Sequence, residues 1–490
     1  MMRLSRPWSF VLSVALAAPM LLTGCASTSE RADRPEGVPV LLDGVIEEWP
    51  DGAAAIADPS YLYFRMSVRG EQFAPQASDR SLALWLDVDD DATTGAAVER
   101  PEGSLGVDLK ITWSPPISAG GKGRGVAVEA VSAEGKLTTI NRASTDLSIM
   151  PTYASRWYEG RLSRTFAAPG LPTQGLLSSG SVRGVFVLSD ADGKSARWSD
   201  PFTVIVPEAE ARTPSDNAIP APRGVRVMSF NVLKNSPEKN PEPFARVLRS
   251  LRPDVALIAE WDNTPAERIR DWFVANVDAS VDWQCVADPR GVAIVSRHPL
   301  NPLPLGTLAL PPGENGKPMT VRAIGAVAFT PAGSVAAVAV HLKCCGSAAG
   351  PEDRRRIEES RLINAGLRSA LGTIKPPAFI VIGGDMNLVG SRPPLDLLRA
   401  GLDANEQDLS VADPLVLGDA AMYTWTDPAS EFGPGRLDYL LYNASRSRML
   451  DAFVLDTSRL SADSLDRAGL KPEDSAASDH LPVVLDLEAR

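Results

Sequence analysis

The sequence predicts two folded halves of different class, an N-terminal all-β sandwich followed by an α/β domain. Three observations carry this expectation. Before residue 205 the apolar residues fall in short runs that alternate with polar ones and are parted by Gly, Asp and Pro, the pattern of half-buried strands. A segment holding Pro207, Pro214, Pro220 and Pro222 then interrupts any regular period, as a linker does. After Gly224, apolar runs of strand length alternate with helical periods.

The 490 residues exceed one ordinary domain, and 44% hydrophobic with 22% charged residues is a globular composition rather than a disordered one. The formal net charge of −12 argues against a protein that holds nucleic acid by its general surface. Such binding feeds on a basic face and counterion release, so a nucleic-acid partner is not favoured by charge. An acidic balance does suit the holding of divalent cations.

The first element is an address. Arg3 and Arg6 precede the apolar run from Ser9 to Leu22, which is short for a bilayer span and ends in Leu22-Thr-Gly-Cys25. That ending resembles a bacterial lipobox. The resemblance implies a signal peptide over 1–25, diacylation of Cys25 and attachment to a membrane through the lipid. Ala26, not Asp, follows the cysteine, which points to the outer membrane of a Gram-negative envelope, on its periplasmic or surface side. Residues 26–38 read as a tether, and no later run is long and apolar enough to span.

The β half is expected over 39–206. Its strands include Tyr61-Leu-Tyr-Phe-Arg-Met-Ser-Val68, Leu82-Ala-Leu-Trp-Leu-Asp-Val88, Val107-Asp-Leu-Lys-Ile-Thr-Trp113 and Gly184-Val-Phe-Val-Leu188. Asp87, Asp89, Asp90 and Asp91 precede Gly95 and read as a solvated turn or, because clustered carboxylates repel, as a Ca²⁺ site. Leu42-Asp-Gly-Val-Ile-Glu-Glu-Trp49 and Leu86-Asp-Val-Asp-Asp-Asp-Ala-Thr-Thr-Gly95 together are similar to family 9-like carbohydrate-binding modules of exported proteins. That similarity implies a glycan contact, although Trp49, Trp85, Trp113 and Trp157 fit a buried core as readily. Cys285, Cys344 and Cys345 match no zinc spacing and are read as structural, with a bridge from Cys285 to either neighbour open.

The linker covers 207–223 and the α/β domain 224–490. Strands are expected at Val225–Phe230, Val255–Ile258, Val292–Val295, Val335–Val340, Phe379–Ile382 and Leu437–Leu441. Helices are expected over Pro243–Leu251 and Glu352–Leu371, with Arg354, Arg355 and Arg356 as a solvated start of the second. Polar residues then fall at the ends of these strands: Asn231, Glu260, His341, Asp385 with Asn387, Asp438, and Asp479-His480. Strand ends at one sheet edge converge, so such residues share a cleft. Singly, each Asp or Asn reads as a turn former or helix cap; jointly they read as a site. His298, before Pro299, receives no role, and Arg392 is placed in a loop within reach of a phosphate.

The chemistry these residues suit is hydrolysis of a phosphate ester. An anionic phosphate repels hydroxide, so a cation must neutralise it and stabilise the leaving oxygen. Glu260, Asp479 and the amide oxygen of Asn231 offer hard oxygen ligands for Mg²⁺ or Mn²⁺. A carboxylate or histidine must take a proton from water, and a histidine paired with a carboxylate can oppose the charge growing on phosphorus.

The motifs Met228-Ser-Phe-Asn231, Glu260, Gly291-Val-Ala-Ile-Val-Ser-Arg297, Val340-His341, Gly384-Asp-Met-Asn387, Arg436-Leu-Asp-Tyr439 and Ser478-Asp-His480 occur in the order found in the endonuclease/exonuclease/phosphatase superfamily, which the domain resembles. The resemblance implies a deoxyribonuclease I-like four-layer α/β/β/α sandwich. It implies Glu260 as principal metal ligand with Asn231 and Asp479, and Asp385 as the group that orients or activates water. Asn387 would steady the phosphate, and His480, oriented by Asp438, would bind the phosphoryl oxygen or act as base. His341 would protonate the leaving group or bind the phosphate. Leu233 and His341 stand where abasic-site repair enzymes carry an acidic residue and Tyr. Both departures point to the deoxyribonuclease, sphingomyelinase and phosphatase side. Only Asp288 and Arg290 lie where deoxyribonucleases place the Glu that orients the second histidine. Two rivals are an extracytoplasmic Mg²⁺-dependent nuclease and a carbohydrate-binding lipoprotein whose second half is inert.

Overall fold

The computed structural model describes residues 37–490 apart from 69–72, 100–102, 116–123, 167–179, 191–194, 313–315 and 317–318. Cys25, the signal segment and the tether up to residue 36 lie outside the described residues.

The first half is β-rich. Tyr61–Ser67 pairs antiparallel with Trp157–Ser163 in a four-stranded sheet, while Ser81–Asp87 lies between Gly180–Ser189 and Leu109–Trp113 in a seven-stranded one. Leu62, Phe64 and Leu162 of the first sheet meet Leu84, Leu86, Ile111 and Val182 of the second in one core. The strand Tyr61–Ser67 is apolar on both faces, and the period-two rule explains why. Leu62 and Phe64 point into that core, whereas Tyr61 and Tyr63 point the other way, into the core of the second half. The expected strand over 107–113 is broken at Asp108 into Leu105–Val107 and Leu109–Trp113.

In the second half, Val225–Asn231 runs parallel to Val255–Ala259 and antiparallel to Val483–Ala489 within a seven-stranded sheet. Gly333–His341, Phe379–Asp385 and Asp438–Tyr442 are adjacent in a six-stranded sheet. Val227, Leu257, Ile294 and Val483 from the first pack with Ala337, Val381 and Leu440 from the second. Helices Pro241–Leu251 and Ala266–Asn276 bury Phe244, Leu248, Ile269 and Phe273 against Met228 and Ile258. Helix Pro351–Leu371 buries Ile363 and Leu367 against Val338 and Ile382. The helices expected at 243–251 and 352–371 begin slightly earlier, at Pro241 and Pro351, because proline suits the first helical turn.

Two sequence readings change here. Arg356 is buried rather than solvated: it pairs with Asp353 at 3.2 Å and donates to the carbonyls of Lys343 and Cys345. Cys285, Cys344 and Cys345 are free thiols, so the bridge left open for Cys285 is not formed.

The two halves share a polar seam. Arg161 grips both carboxylate oxygens of Asp419, each residue about 1% exposed at its side chain, with the Tyr61 ring 4.3 Å from the guanidinium carbon. Burial alone would raise the Asp419 carboxyl, but Arg161 outweighs it and holds the group well below the usual range. Arg459 makes a second bidentate pair with Asp146 at 2.7 and 2.5 Å. The motif opening at Leu42 serves the same seam. Gly44 and the Trp49 indole donate to the buried Glu159, and the Leu42 N–H reaches the Ala420 carbonyl. Residues 207–223 run without helix or strand, tied to both halves through Glu210 to Pro59 and Ser215 to Arg459. Removing one partner of a buried ion pair strands the other. Asp419→Ala should therefore cost about 3–5 kcal/mol in denaturant unfolding. Arg161→Met combined with Asp419→Leu should cost much less.

Candidate active site

The ends of both sheets in the second half meet at Asp385. Across the six-stranded sheet, His341, Asp385 and Asp438 are direct neighbours in register. Gly384 makes this possible. Its φ is +145°, and a Cβ there would stand 1.9 Å from the Val340 carbonyl oxygen, so only glycine lets the two parallel strands approach. From the other sheet come Asn231, opposite Ala259, and Glu260 immediately after it. Glu260 and Asn387 hold φ of +63° and +49°, a conformation that side chains resist and that tertiary packing must enforce.

Asp385 Oδ2 is the point of convergence. It accepts from Asn387 Nδ2 at 2.9 Å and Asn231 Nδ2 at 3.2 Å, with His341 Nε2 at 3.5 Å and His480 Nε2 at 3.7 Å. Its other oxygen accepts the Asn387 N–H at 2.9 Å. Glu260 Oε1 accepts from Asn231 Nδ2 at 3.2 Å and lies 3.8 Å from His341 Nε2. His480 Nδ1 bonds Asp438 Oδ2 at 2.8 Å, and the Thr424 hydroxyl donates to the same oxygen at 2.8 Å.

Burial, with Asp438 close by, pushes the Asp385 carboxyl up to about 7, against the pull of His480. For His480 burial disfavours the charged ring, but Asp438 and Asp385 outweigh it and raise the imidazole to about 10. His341 moves the opposite way. Burial, then Arg322, His480 and Lys343, hold it well below the ordinary value. One histidine is thus kept charged and the other neutral at pH 7.

Glu260, His341 and Asp385 form one group able to share an ion, and Asp385, Asp438 and His480 another. Asp479 falls in neither group. Its Oδ2 accepts the Trp425 indole N–H at 3.0 Å, and its Oδ1 is buried with no hydrogen-bond partner among the described residues. Asn231 turns its amide nitrogen to the carboxylates, and its oxygen accepts the Leu233 N–H at 3.1 Å. His341 Nδ1 is buried with no hydrogen-bond partner among the described residues, and Asp288 is engaged by Arg290, so neither of the residues in the Glu position orients that ring. Arg392 lines a cavity of about 260 Å³ between the halves, with Tyr153, Arg436 and Tyr439, and pairs with Asp396 at 3.2 Å. His298 bonds Asp254 at 2.8 Å.

Thr424 and Trp425 were not visible as site residues in the sequence, because a hydroxyl and an indole after an apolar run read as turn and core. Trp425 pairs with both Gly435 and His480 across isolated bridges. The first half grips the same segment: Arg142 donates to the Asp427 carbonyl at 2.9 Å, Val126 to that of Glu431 at 2.8 Å, and Gln76 Oε1 accepts the Gly433 N–H at 2.6 Å.

The strand ends of two packed sheets thus gather carboxylates, amides and two histidines around one buried oxygen, the composition of a candidate active site. Residues 228–480 match the family model described as the Endonuclease/Exonuclease/phosphatase family, more than half of the chain, and the chain belongs to that family. Among solved structures it is similar to beta toxin from Staphylococcus aureus, at 16% identity over 53% of this chain and 99% of that one, TM-score 0.35. It is also similar to the human Nocturnin catalytic domain, at 16% over 54% and 94%, TM-score 0.36. A third is sphingomyelinase C from Streptomyces griseocarneus, at 17% over 53% and 98%, TM-score 0.32. Comparison with curated proteins gives no match.

The histidine assignment is open to direct measurement. Nitrogen-detected NMR should find His480 protonated at pH 8 and His341 neutral, and Asp438→Asn should lower the His480 titration point by more than one unit. Identical titration of the two rings would contradict the charge pattern.

Proposed function

We propose that the second half, a four-layer α/β/β/α sandwich over 224–490, hydrolyses a phosphate ester with the help of a divalent cation. The observation that carries this is the meeting of Asn231, His341, Asn387 and His480 on Asp385 Oδ2, with Glu260 beside them. Family membership supports the reaction class.

The donor set fits a hard cation. Glu260 and Asp385 present carboxylate oxygens within reach of one ion, and Asp479 Oδ1 is a buried oxygen without a hydrogen-bond partner among the described residues. Glu260 would hold Mg²⁺ or Mn²⁺, with Asn231 and Asp479 completing its surroundings; Asn231 would do so through its oxygen after a rotation of the amide. When bound, the cation neutralises the phosphate and stabilises the leaving oxygen. Asp385, raised toward neutrality, accepts the proton of the attacking water. Asn387 holds Asp385 in place through two donors and steadies the phosphate. His480, kept cationic by Asp438, donates to a phosphoryl oxygen as negative charge grows on it. His341, kept neutral, serves as a hydrogen-bond donor to the phosphate rather than as the acid for the leaving group. The net charge of −12 weighs against a polyanionic nucleic-acid substrate.

The chain is further proposed to be exported and anchored by a lipid on Cys25, with the 39–206 module between anchor and enzyme. Labelling with a radioactive fatty acid should mark the wild-type chain and not Cys25→Ala.

A panel of phosphomonoesters and phosphodiesters with Mg²⁺, Mn²⁺ and Ca²⁺ tests the reaction itself. Turnover should vanish with a chelator and return with the cation. Asp385→Asn should lower kcat by about 10²–10⁴-fold, and His480→Ala by about 10²–10³-fold. Glu260→Ala should abolish the cation requirement together with the activity. The rate should climb as pH rises through about 7, where Asp385 loses its proton, and fall as pH rises through about 10, where His480 does. A folded chain with no cation-dependent turnover on any ester would sink the proposal.

A further inference from the structure

A second carboxylate cluster lies in the first half, remote in sequence from every residue of the hydrolytic site. Asp87 ends the strand Ser81–Asp87, Asp89 sits in the turn after it, and Asp108 occupies the break between Leu105–Val107 and Leu109–Trp113. One carboxylate oxygen from each lies within 4.8 Å of the other two. Asp87 and Asp108 are 0% and 1% exposed.

Most of their oxygens have partners. Asp87 accepts the N–H groups of Asp91 and Gly106 at 3.1 and 3.2 Å, and Asp108 Oδ2 accepts that of Val88 at 3.0 Å. The Thr94 hydroxyl donates to Asp89 at 3.0 Å. Asp108 Oδ1 is the exception: it is buried with no hydrogen-bond partner among the described residues. Among the described residues no Lys or Arg forms an ion pair with the three: Arg183 acts on Asp87 only from a distance and pairs with Asp90 at 3.7 Å. A buried carboxylate oxygen without a donor is costly, and two more carboxylates facing it add repulsion. Burial, then Asp89 and Asp87, push Asp108 up to about 7 when no cation is present.

We propose that Asp87, Asp89 and Asp108 form a structural Ca²⁺ site that fastens the turn 88–95 to the strand edge at Asp108. The donors are all oxygens, which suits a hard cation. Ca²⁺ accepts about six to eight oxygens in a flexible, irregular shell, which three aspartates fixed by backbone donors can enter, whereas Mg²⁺ demands a smaller and more regular one. Gly95 closes the turn over the cluster: its φ is +61°, and a Cβ there would lie 2.6 Å from Asp108 Oδ1. The ligand set differs from the run of acidic residues that the sequence suggested. Asp90 bonds Ser181 and Arg183, and Asp91 bonds Thr93 at 2.6 Å, while Asp108, separated from the run by 17 residues of chain, supplies the missing oxygen.

This site is independent of the phosphoesterase reading and is tested apart from it. Metal-stripped full-length chain would be titrated with CaCl₂ by calorimetry, and its thermal midpoint followed. Glu260→Gln serves as the parent, so that the principal ligand proposed for the hydrolytic cation is missing, and the Asn variants separate this cluster from any cation held near Asp385. In that parent the midpoint should rise with Ca²⁺, and adding Asp89→Asn or Asp108→Asn should weaken the apparent affinity at least tenfold. Without Ca²⁺, Asp108→Asn should unfold no earlier than its parent, because it removes repulsion. Absence of any Ca²⁺-dependent rise in the parent overturns the proposal, as does an unchanged titration in the Asn variants. Should Asp108→Asn fail to fold, the half-buried Asp89 decides alone.

Discussion

A carboxylate buried where two sheets meet has to be matched by donors, since leaving it bare costs more than any single contact returns. Asp385 meets that demand with side chains from four separate stretches of chain, 231, 341, 387 and 480. Each strand pairing that delivers one of these groups therefore serves the same oxygen. The close approach at Gly384, the positive φ of Glu260 and Asn387 and the register His341–Asp385–Asp438 all follow from bringing those groups to one place. The opposite electrostatic fates of the two histidines follow as well. His480 has Asp438 directly behind it, whereas at His341 burial and the charges of Arg322, His480 and Lys343 prevail although Asp385 and Glu260 lie nearby.

The seam between the halves obeys a related rule. Tyr61–Ser67 is apolar on both faces because each face meets a different core, so neither half presents a complete surface without the other. Arg161 and Arg459 cross that seam to Asp419 and Asp146, and buried charges of this kind hold the geometry through the penalty for separating them. The motif near the start of the first half, similar to that of carbohydrate-binding modules, is largely consumed in this packing. Trp49 is buried against Glu159, and Trp113 lies in the sandwich core, which leaves Trp85 and Trp157 as the partly exposed indoles among the four.

Much of this was legible in the sequence because it depends on local pattern. Short runs bounded by turn residues marked Tyr61–Val68 and Gly184–Leu188 as strands, and apolar runs marked Val255–Ile258 and Phe379–Ile382, each within a residue or a few of the observed bounds. The polar residues just beyond those runs are the ones gathered at Asp385. What stayed hidden depends on contacts far apart in the chain. Nothing near Asp479 reveals that Trp425 holds its carboxylate, and three consecutive arginines give no hint that Arg356 is buried under two carbonyls. Asp108 is likewise invisible as a partner of Asp87 until the strand break brings it there. That Tyr61 and Tyr63 enter a second core is likewise not written in the sequence, because the partner surface lies in the other half.

The segment 425–436 has an owner on each side. Its indole braces the residue before His480, while its carbonyls are claimed by Arg142 and Val126. The first half thereby braces the segment that holds Asp479, the neighbour of His480. Exchange of that half for another would leave the groups around Asp385 in place and release the hold on the Trp425 segment, so the two halves are not interchangeable cassettes.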